Sequence, residues 1–238
     1  MPLAKTDTHA NNLDGWAAVE AAPLFVGVSA EDFRRISAAA RLKRFARGET
    51  LYLEGNTVEQ VLLLISGSVK ITQLGPRGVE VILRLGAPGD VFDVVGLFTT
   101  GRHCTTAQVI RRGGAFVWEP GVFKALVEGL PVLNQNIARF TCGHLQELEE
   151  RFRELSTERV ATRVARQLIR LQELTCSPEN GHVEIGLSRE GLAQMTGTTL
   201  YTVSRLLSAW EALGLVILRR ESVTISDVQS LRKIFEDS

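Results

Sequence analysis

Apolar and polar positions change their rhythm twice along the 238 residues. Residues 1–22, rich in Ala, Asn, Thr and Asp, carry no sustained periodicity and predict a mobile arm with a short turn around Trp16. Ser29 begins a capped helix: Asp32 three positions on can reach back to exposed amides, and Phe33, Ile36 and Ala40 share a packing face. From Arg41 to Trp118 short alternating or apolar runs take over, LKRF, TLYL, QVLLLI, SVKITQL, EVILRL, TAQVI and GAFVW, with glycines between or beside them. Strands at that spacing predict an antiparallel barrel or sandwich, with GPRG at 75–78 as its clearest hairpin turn.

After Pro120 the period becomes helical. A short segment, Val122 to Glu128, precedes Pro131, and a proline-free run then extends to about Thr157. Leu145, Leu148, Phe152 and Leu155 step by three, four and three along it and form one apolar seam; Ile137, Phe140 and His144 offer a second face toward the barrel. Two apolar faces on one helix predict a homodimer seam, with burial on both sides inside a monomer as the alternative. A break at Ser156-Thr157 supplies cap oxygens for a further helix from Val160 to Leu174, and the domain boundary is placed there.

From Leu187 the pattern is helix, turn, helix. Ser188 caps a helix through Met195, Gly197 makes the turn, Thr199 caps a second helix to about Leu213, and Gly214 ends it. Leu192, Ala193, Val203, Leu206, Leu207 and Trp210 would hold the crossing together. VILRR, a turn at Glu221 and Ser222, and VTIS then form a wing-like hairpin. With the second helix in a DNA major groove, Arg205 can give two hydrogen bonds to guanine, and Ser204 can meet the adjacent base edge. Tyr201 can pack on a thymine methyl or reach a base, while Thr199, Thr202 and Arg189 suit phosphates. The plainer reading of Arg205 is a solvated surface charge. For Arg219-Arg220 in the wing, phosphate contact and solvation are evenly matched.

Composition narrows the function further. Positive and negative side chains balance at 27 each and apolar residues make up 45 %, so any nucleic-acid face must be local in an otherwise ordinary globular chain. No stretch reads as a secretion signal or membrane span, which predicts a cytoplasmic protein with no membrane partner. Cys104, Cys142 and Cys176 are too few and too scattered for a disulfide framework or metal knuckle. No Ser-His-Asp order, carboxylate pair or phosphate-cradling loop argues for an enzyme, and no metal site is expected.

LLLISGSVKI (62–71), PGDVF (88–92) and SREGLAQMTGTTLYTVSRLLSAWEALGLV (188–216) resemble the CRP/FNR superfamily of transcription regulators over about residues 24–236. The resemblance implies an α+β chain: a flexible arm over 1–22, a cyclic-nucleotide-binding-like β jelly-roll barrel over 23–130, a dimerisation helix over 131–157 and a winged helix-turn-helix over 158–238. It also implies a homodimer on a palindromic double-stranded DNA site, contact with RNA polymerase, for which Arg111-Arg112 are candidates, and allosteric control by a small effector. Cyclic-AMP-binding members carry Gly-Glu for the ribose and Arg-Ser for the cyclic phosphate. Here Asp93 and Val94 stand at the first pair and HCTTA (103–107) at the second, so an anionic phosphate would lose its arginine and meet a carboxylate. The hydroxyl pair of the long helix falls on Leu148 and Glu149. The implied effector is therefore not cyclic AMP, and its pocket is expected around Asp93, His103, Cys104, Thr105, Thr106 and His144. No cysteine precedes Cys104, which excludes the N-terminal iron-sulfur cluster of oxygen-sensing members. Tyr201 stands where the family often has Glu. The wording of the reading helix is similar to nitric-oxide-responsive members associated with haem, for which His9, His103, His144 and His182 are the available imidazoles. The rival to DNA reading is a ligand-binding module whose winged helix contacts protein.

Overall fold

The computed structural model describes residues 22–175 and 184–236. His9, His182, Cys176, Trp16 and most of the predicted arm lie outside them. Contacts divide the chain into two units, residues 22–73 with 83–146 and residues 74–82 with 147–236.

The first unit begins with a 3-10 turn, Pro23–Phe25, and helix α1, Ala30–Ala38. Ser29 Oγ accepts from the Asp32 amide at 3.1 Å, as its position implied, and Ile36 is fully buried. Strands β1 (Arg41–Phe45), β2 (Thr50–Tyr52), β3 (Val61–Leu74), β4 (Glu80–Gly86), β5 (Val91–Phe92) and β6 (Thr106–Trp118) form one antiparallel sheet in the order β1-β6-β3-β4, with β2 on β6 and β5 on β3. A short helix, α2 (Val94–Phe98), lies between β5 and β6.

Four of the runs read as separate strands are halves of two long ones. β3 and β6 stay paired from Val61↔Trp118 to Thr72↔Thr106, slipping register around residues 64–69. Glycines permit that bend: Gly67 has φ +85°, and a Cβ on Gly113 would stand 2.0 Å from the Ser66 carbonyl oxygen. Consequently Arg111 and Arg112 are exposed within β6.

Alternation along β3 sorts the core into two layers, because successive side chains point to opposite faces. Val61 and Leu63 join Ile36, Phe116, Trp118, Phe123, Leu133 and Ile137 beneath the helices; Leu62, Leu64, Val69 and Ile71 join Phe45, Phe92, Val109 and Val117 inside the roll. The helical layer comes from α3 (Pro120–Gly129) and the first half of α4 (Pro131–Thr157). Asn136 on α4 donates to the Leu24 and Val26 carbonyls at 2.9 and 2.8 Å, tying the start of the unit to this helix.

In the second unit α4 runs unbroken through the expected cap at 156–157. Ser156 and Thr157 hydroxyls donate back to the Phe152 and Arg153 carbonyls, which satisfies the last turn of α4 instead of capping the next helix. That next helix, α5 (Val160–Thr175), carries arginines at three- and four-residue steps facing α4. Arg170 grips the buried Glu154 with both terminal nitrogens, one at 2.8 Å; Arg166 reaches Glu158 at 3.2 Å; Arg163 donates to the Glu158 carbonyl at 2.8 Å and the Thr196 carbonyl at 3.1 Å. A three-stranded sheet, β7 (Glu184–Ile185), β9 (Val223–Ile225) and β8 (Val216–Leu218) in that order, and helices α6 (Arg189–Thr196), α7 (Leu200–Ala212) and α8 (Val228–Glu236) complete the unit. Among the described residues no helix is long and apolar enough to cross a membrane.

Candidate nucleic-acid interface and barrel cluster

The α6-turn-α7 unit is built as the sequence spacing required. Ser188 Oγ accepts from the Gly191 amide at 3.0 Å; Gly197 takes φ +60° and returns its amide to the Ala193 carbonyl. Thr199 Oγ1 accepts from the Thr202 amide at 3.2 Å. Leu192, Ala193, Val203, Leu207 and Trp210 are buried between the helices. The opposite face of α7 is left to solvent: Tyr201 is 77 % exposed, Arg205 is exposed, and Thr202 and Ser204 are half-exposed beside them. Arg189 opens α6, half-exposed. The wing turn closes with the Arg219 amide on the Ser222 carbonyl at 2.9 Å, leaving Arg219 and Arg220 exposed. The Thr199 and Thr202 hydroxyls are hydrogen-bonded to one another at 2.9 Å at the solvent-exposed start of α7.

In the first unit a polar cluster lies in the interior. His103 Nδ1 and Asp93 Oδ1 are 2.6 Å apart, with side chains only 5 % and 2 % exposed. The Tyr52 ring stacks flat on the imidazole, centroids 4.2 Å apart and planes 10° from parallel. Burial, then the Asp93 charge, pushes the Tyr52 phenol well above the usual tyrosine range, against a hydrogen bond from Thr105 that lowers it. Burial likewise raises the Asp93 carboxyl, opposed by its contact with His103. Asp93 Oδ2 is buried with no hydrogen-bond partner. Asp93 is also the only non-glycine with positive φ among the described residues, at +74°. Backbone bonds hold the segment in place: Gly55 donates to the His103 carbonyl and His103 to the Asn56 carbonyl.

Of the other residues expected here, Thr106 Oγ1 accepts from the Glu54 amide at 3.0 Å at the start of β6. Cys104 is exposed in the bend before that strand, rather than the small buried strand cysteine that is commoner. His144 has a different setting, edge-on to Phe140 on α4 at 4.1 Å.

Residues 42–129 match the cyclic nucleotide-binding domain, and residues 162–234 match the Crp-like helix-turn-helix domain. The CRP-like cAMP-activated global transcriptional regulator of Mycobacterium tuberculosis is 27 % identical over 214 residues, 89 % of this chain and 96 % of that protein. The global nitrogen regulator of Synechococcus elongatus is 25 % identical over 82 % of this chain and 90 % of its own length. Among solved structures, FixK2 from Bradyrhizobium japonicum superposes with a TM-score of 0.71 at 23 % identity, covering 82 % of this chain and 96 % of that one. The chain belongs to the CRP/FNR superfamily. It is a DNA-binding transcription regulator and not an enzyme.

The innermost side chains of the barrel cluster are a carboxylate, an imidazole and a phenol, with no arginine on the HCTTA segment. Sequence reasoning named Asp93 and His103 separately but not their pairing, and it missed Tyr52, whose only signal was an aromatic in a strand. The described histidines fit a haem poorly. The His103 side chain is almost wholly buried with one ring face covered by Tyr52, while His144 packs on Phe140. The seam residues of α4 are exposed on this single chain, Leu145 at 55 %, Leu148 at 46 %, Phe152 at 74 % and Leu155 at 47 %.

Proposed function

We propose that this CRP/FNR regulator binds an inverted DNA repeat as a homodimer, placing α7 of each copy in successive major grooves, under control of an effector other than cyclic AMP taken by the barrel. The observation that carries the reading is α7 itself: a helix capped at its start, buried along one face, with Arg205, Tyr201 and Ser204 turned out together. Arg205 specifies guanine by two hydrogen bonds, Ser204 meets the neighbouring edge, and Arg189, Arg219 and Arg220 neutralise phosphates. The exposed seam Leu145, Leu148, Phe152 and Leu155 supports the homodimer, since four large apolar side chains on one stripe favour burial against a second copy. RNA polymerase is the protein partner assigned to the activated dimer, with Arg111 and Arg112 exposed on β6 as contact candidates.

The chemistry of Asp93, His103 and Tyr52 supports an effector that is not an anionic phosphate. A phosphate brought to this cluster would face a buried carboxylate with an unpartnered Oδ2, while Arg84, the arginine whose charge reaches Tyr52, is already paired with Asp90 at 2.9 Å. An effector that donates a hydrogen bond to Asp93 Oδ2 satisfies a buried polar atom that has no hydrogen-bond partner in the fold. Cys104, Thr105 and Thr106 flank that position on the same segment. Binding there shifts a pre-existing equilibrium between reading-competent and incompetent arrangements of the dimer.

Selection of bound duplexes from a random pool by the purified protein, with and without haem and cyclic AMP at fixed salt, tests the reading. An inverted repeat with guanine-containing half-sites, unaffected by cyclic AMP, is expected. Absence of any enriched sequence refutes DNA reading by the unaided chain and favours the protein-contact alternative. Haem-dependent enrichment would move sensing to His9 or His182, because the described histidines are already engaged.

A further inference from the structure

We infer that the leading turn of α7 reads a thymine methyl, making recognition depend on the C5 methyl of one base in each half-site. The inference rests on the proposed reading of α7 as the groove helix and deepens it. The first two residues of α7, Leu200 and Tyr201, are 50 % and 77 % exposed. The hydroxyls that frame them are occupied: Thr199 Oγ1 takes the Thr202 amide and meets Thr202 Oγ1 at 2.9 Å. The turn therefore presents an aliphatic side chain and an aromatic ring tipped by a hydroxyl, with no carboxylate, amide or cation until Arg205.

Each base pair answers such a turn differently. Cytosine offers an N4 donor and requires an acceptor; guanine offers two acceptors and requires a donor. Thymine alone carries an apolar group in the major groove, its C5 methyl. Tyr201 and Arg205 are four residues apart on one face, about 6 Å along the axis, and bases rise about 3.4 Å per step. The methyl that Tyr201 covers thus lies within about two base pairs of the guanine that Arg205 reads.

The test uses the full chain and the duplex recovered by selection, with each thymine of the half-site replaced in turn by deoxyuridine, which removes only the methyl. One symmetric position is expected to weaken binding about fourfold per half-site, with the other substitutions near neutral. Tyr201→Ala should abolish that sensitivity while the guanine dependence supplied by Arg205 persists; the side chain is exposed, so the fold is not at stake. If no deoxyuridine position matters, or if the sensitivity survives in Tyr201→Ala, methyl reading is overturned while DNA reading stands. If Tyr201→Phe weakens every duplex equally, the phenol hydroxyl is a phosphate contact, and the inference also falls. Loss of all sequence preference, including the guanine, would overturn the groove placement of α7 as well.

Discussion

Phe152→Ala offers the sharpest separation between a dimer seam and a merely exposed helix face. Phe152 is 74 % exposed on the single chain, so most of its ring remains available for burial. Full burial of a phenylalanine stabilises by about 1.5–3 kcal/mol. Three-quarters of that, counted once in each copy, comes to about 2–4 kcal/mol per dimer, a dissociation constant about 30- to 1000-fold weaker. The monomer should not suffer, because the ring has few neighbours to lose and Ala is a better helix former than Phe. Leu155 would be a poorer probe: its Cδ2 would stand 2.7 Å from a Cβ on Gly197, so it also packs on the turn before α7. Sedimentation equilibrium over a wide concentration range reads the dissociation constant directly, and urea unfolding of the monomer is the control. Binding to an inverted repeat should fall with dimerisation while affinity for an isolated half-site is retained. An unchanged dissociation constant with an intact fold would refute the seam, as would equal losses on full and half sites.

Arg205→Ala should cost about 1–3 kcal/mol, concentrated at one guanine, and a loss spread evenly over sequences would reduce Arg205 to a phosphate contact. The raised Tyr52 phenol has a definite sign: it stays protonated in the fold, whereas in the unfolded chain it ionises near pH 10. Its contribution is therefore complete below pH 10 and declines as pH rises further, at up to about 1.4 kcal/mol per pH unit. Urea unfolding between pH 9 and 11 should show that slope removed in Tyr52→Phe. In a Tyr201→Phe background Tyr52 is the sole remaining phenol of two in the chain, and phenolate absorbance appearing near pH 10 while the protein is folded would contradict its burial. Gly113→Ala, whose Cβ would meet the Ser66 carbonyl oxygen at 2.0 Å, should destabilise the barrel by about 1–3 kcal/mol or more. An unchanged urea midpoint would mean that β3 and β6 part easily at their bend.

Local signals carried the helix-turn-helix and the wing of the second unit. Ser188, Gly197, Thr199 and Gly214 punctuate α6 and α7 through their own side chains or backbone freedom, which act within four residues and so are visible in one dimension. The wing was legible for the same reason, but its third strand, β7, was not, because two residues give no period. α8 was also passed over, although Asp227 supplies its cap by accepting from the Ser230 amide at 2.9 Å: nine residues directly after a short strand give too brief a helical period to stand out. In the barrel, periodicity found the strand runs yet split β3 and β6 at Gly67 and Gly113, since a glycine between apolar runs reads equally as a turn or as a bend in a continuous strand. The pairing of Asp93 with His103 and the stacking of Tyr52 depend on closure of the roll, which joins positions up to 51 residues apart. The Arg163, Arg166 and Arg170 stripe on α5 was not singled out in the sequence, because its engagement with Glu154 and Glu158 depends on the helix-helix geometry.

Asp93 sets the stability of this barrel against its chemistry. A left-handed backbone costs a non-glycine residue about 1 kcal/mol, and burial of the carboxylate adds to that cost, as its raised pKa shows. Directed evolution rewarded for heat resistance alone would be drawn to glycine at this position, coupled with an apolar side chain in place of His103. On the proposed reading of the barrel, the survivors would be tougher proteins that had lost the effector site. On that reading a campaign to stabilise the regulator holds positions 52, 93 and 103 fixed and looks for its gains elsewhere.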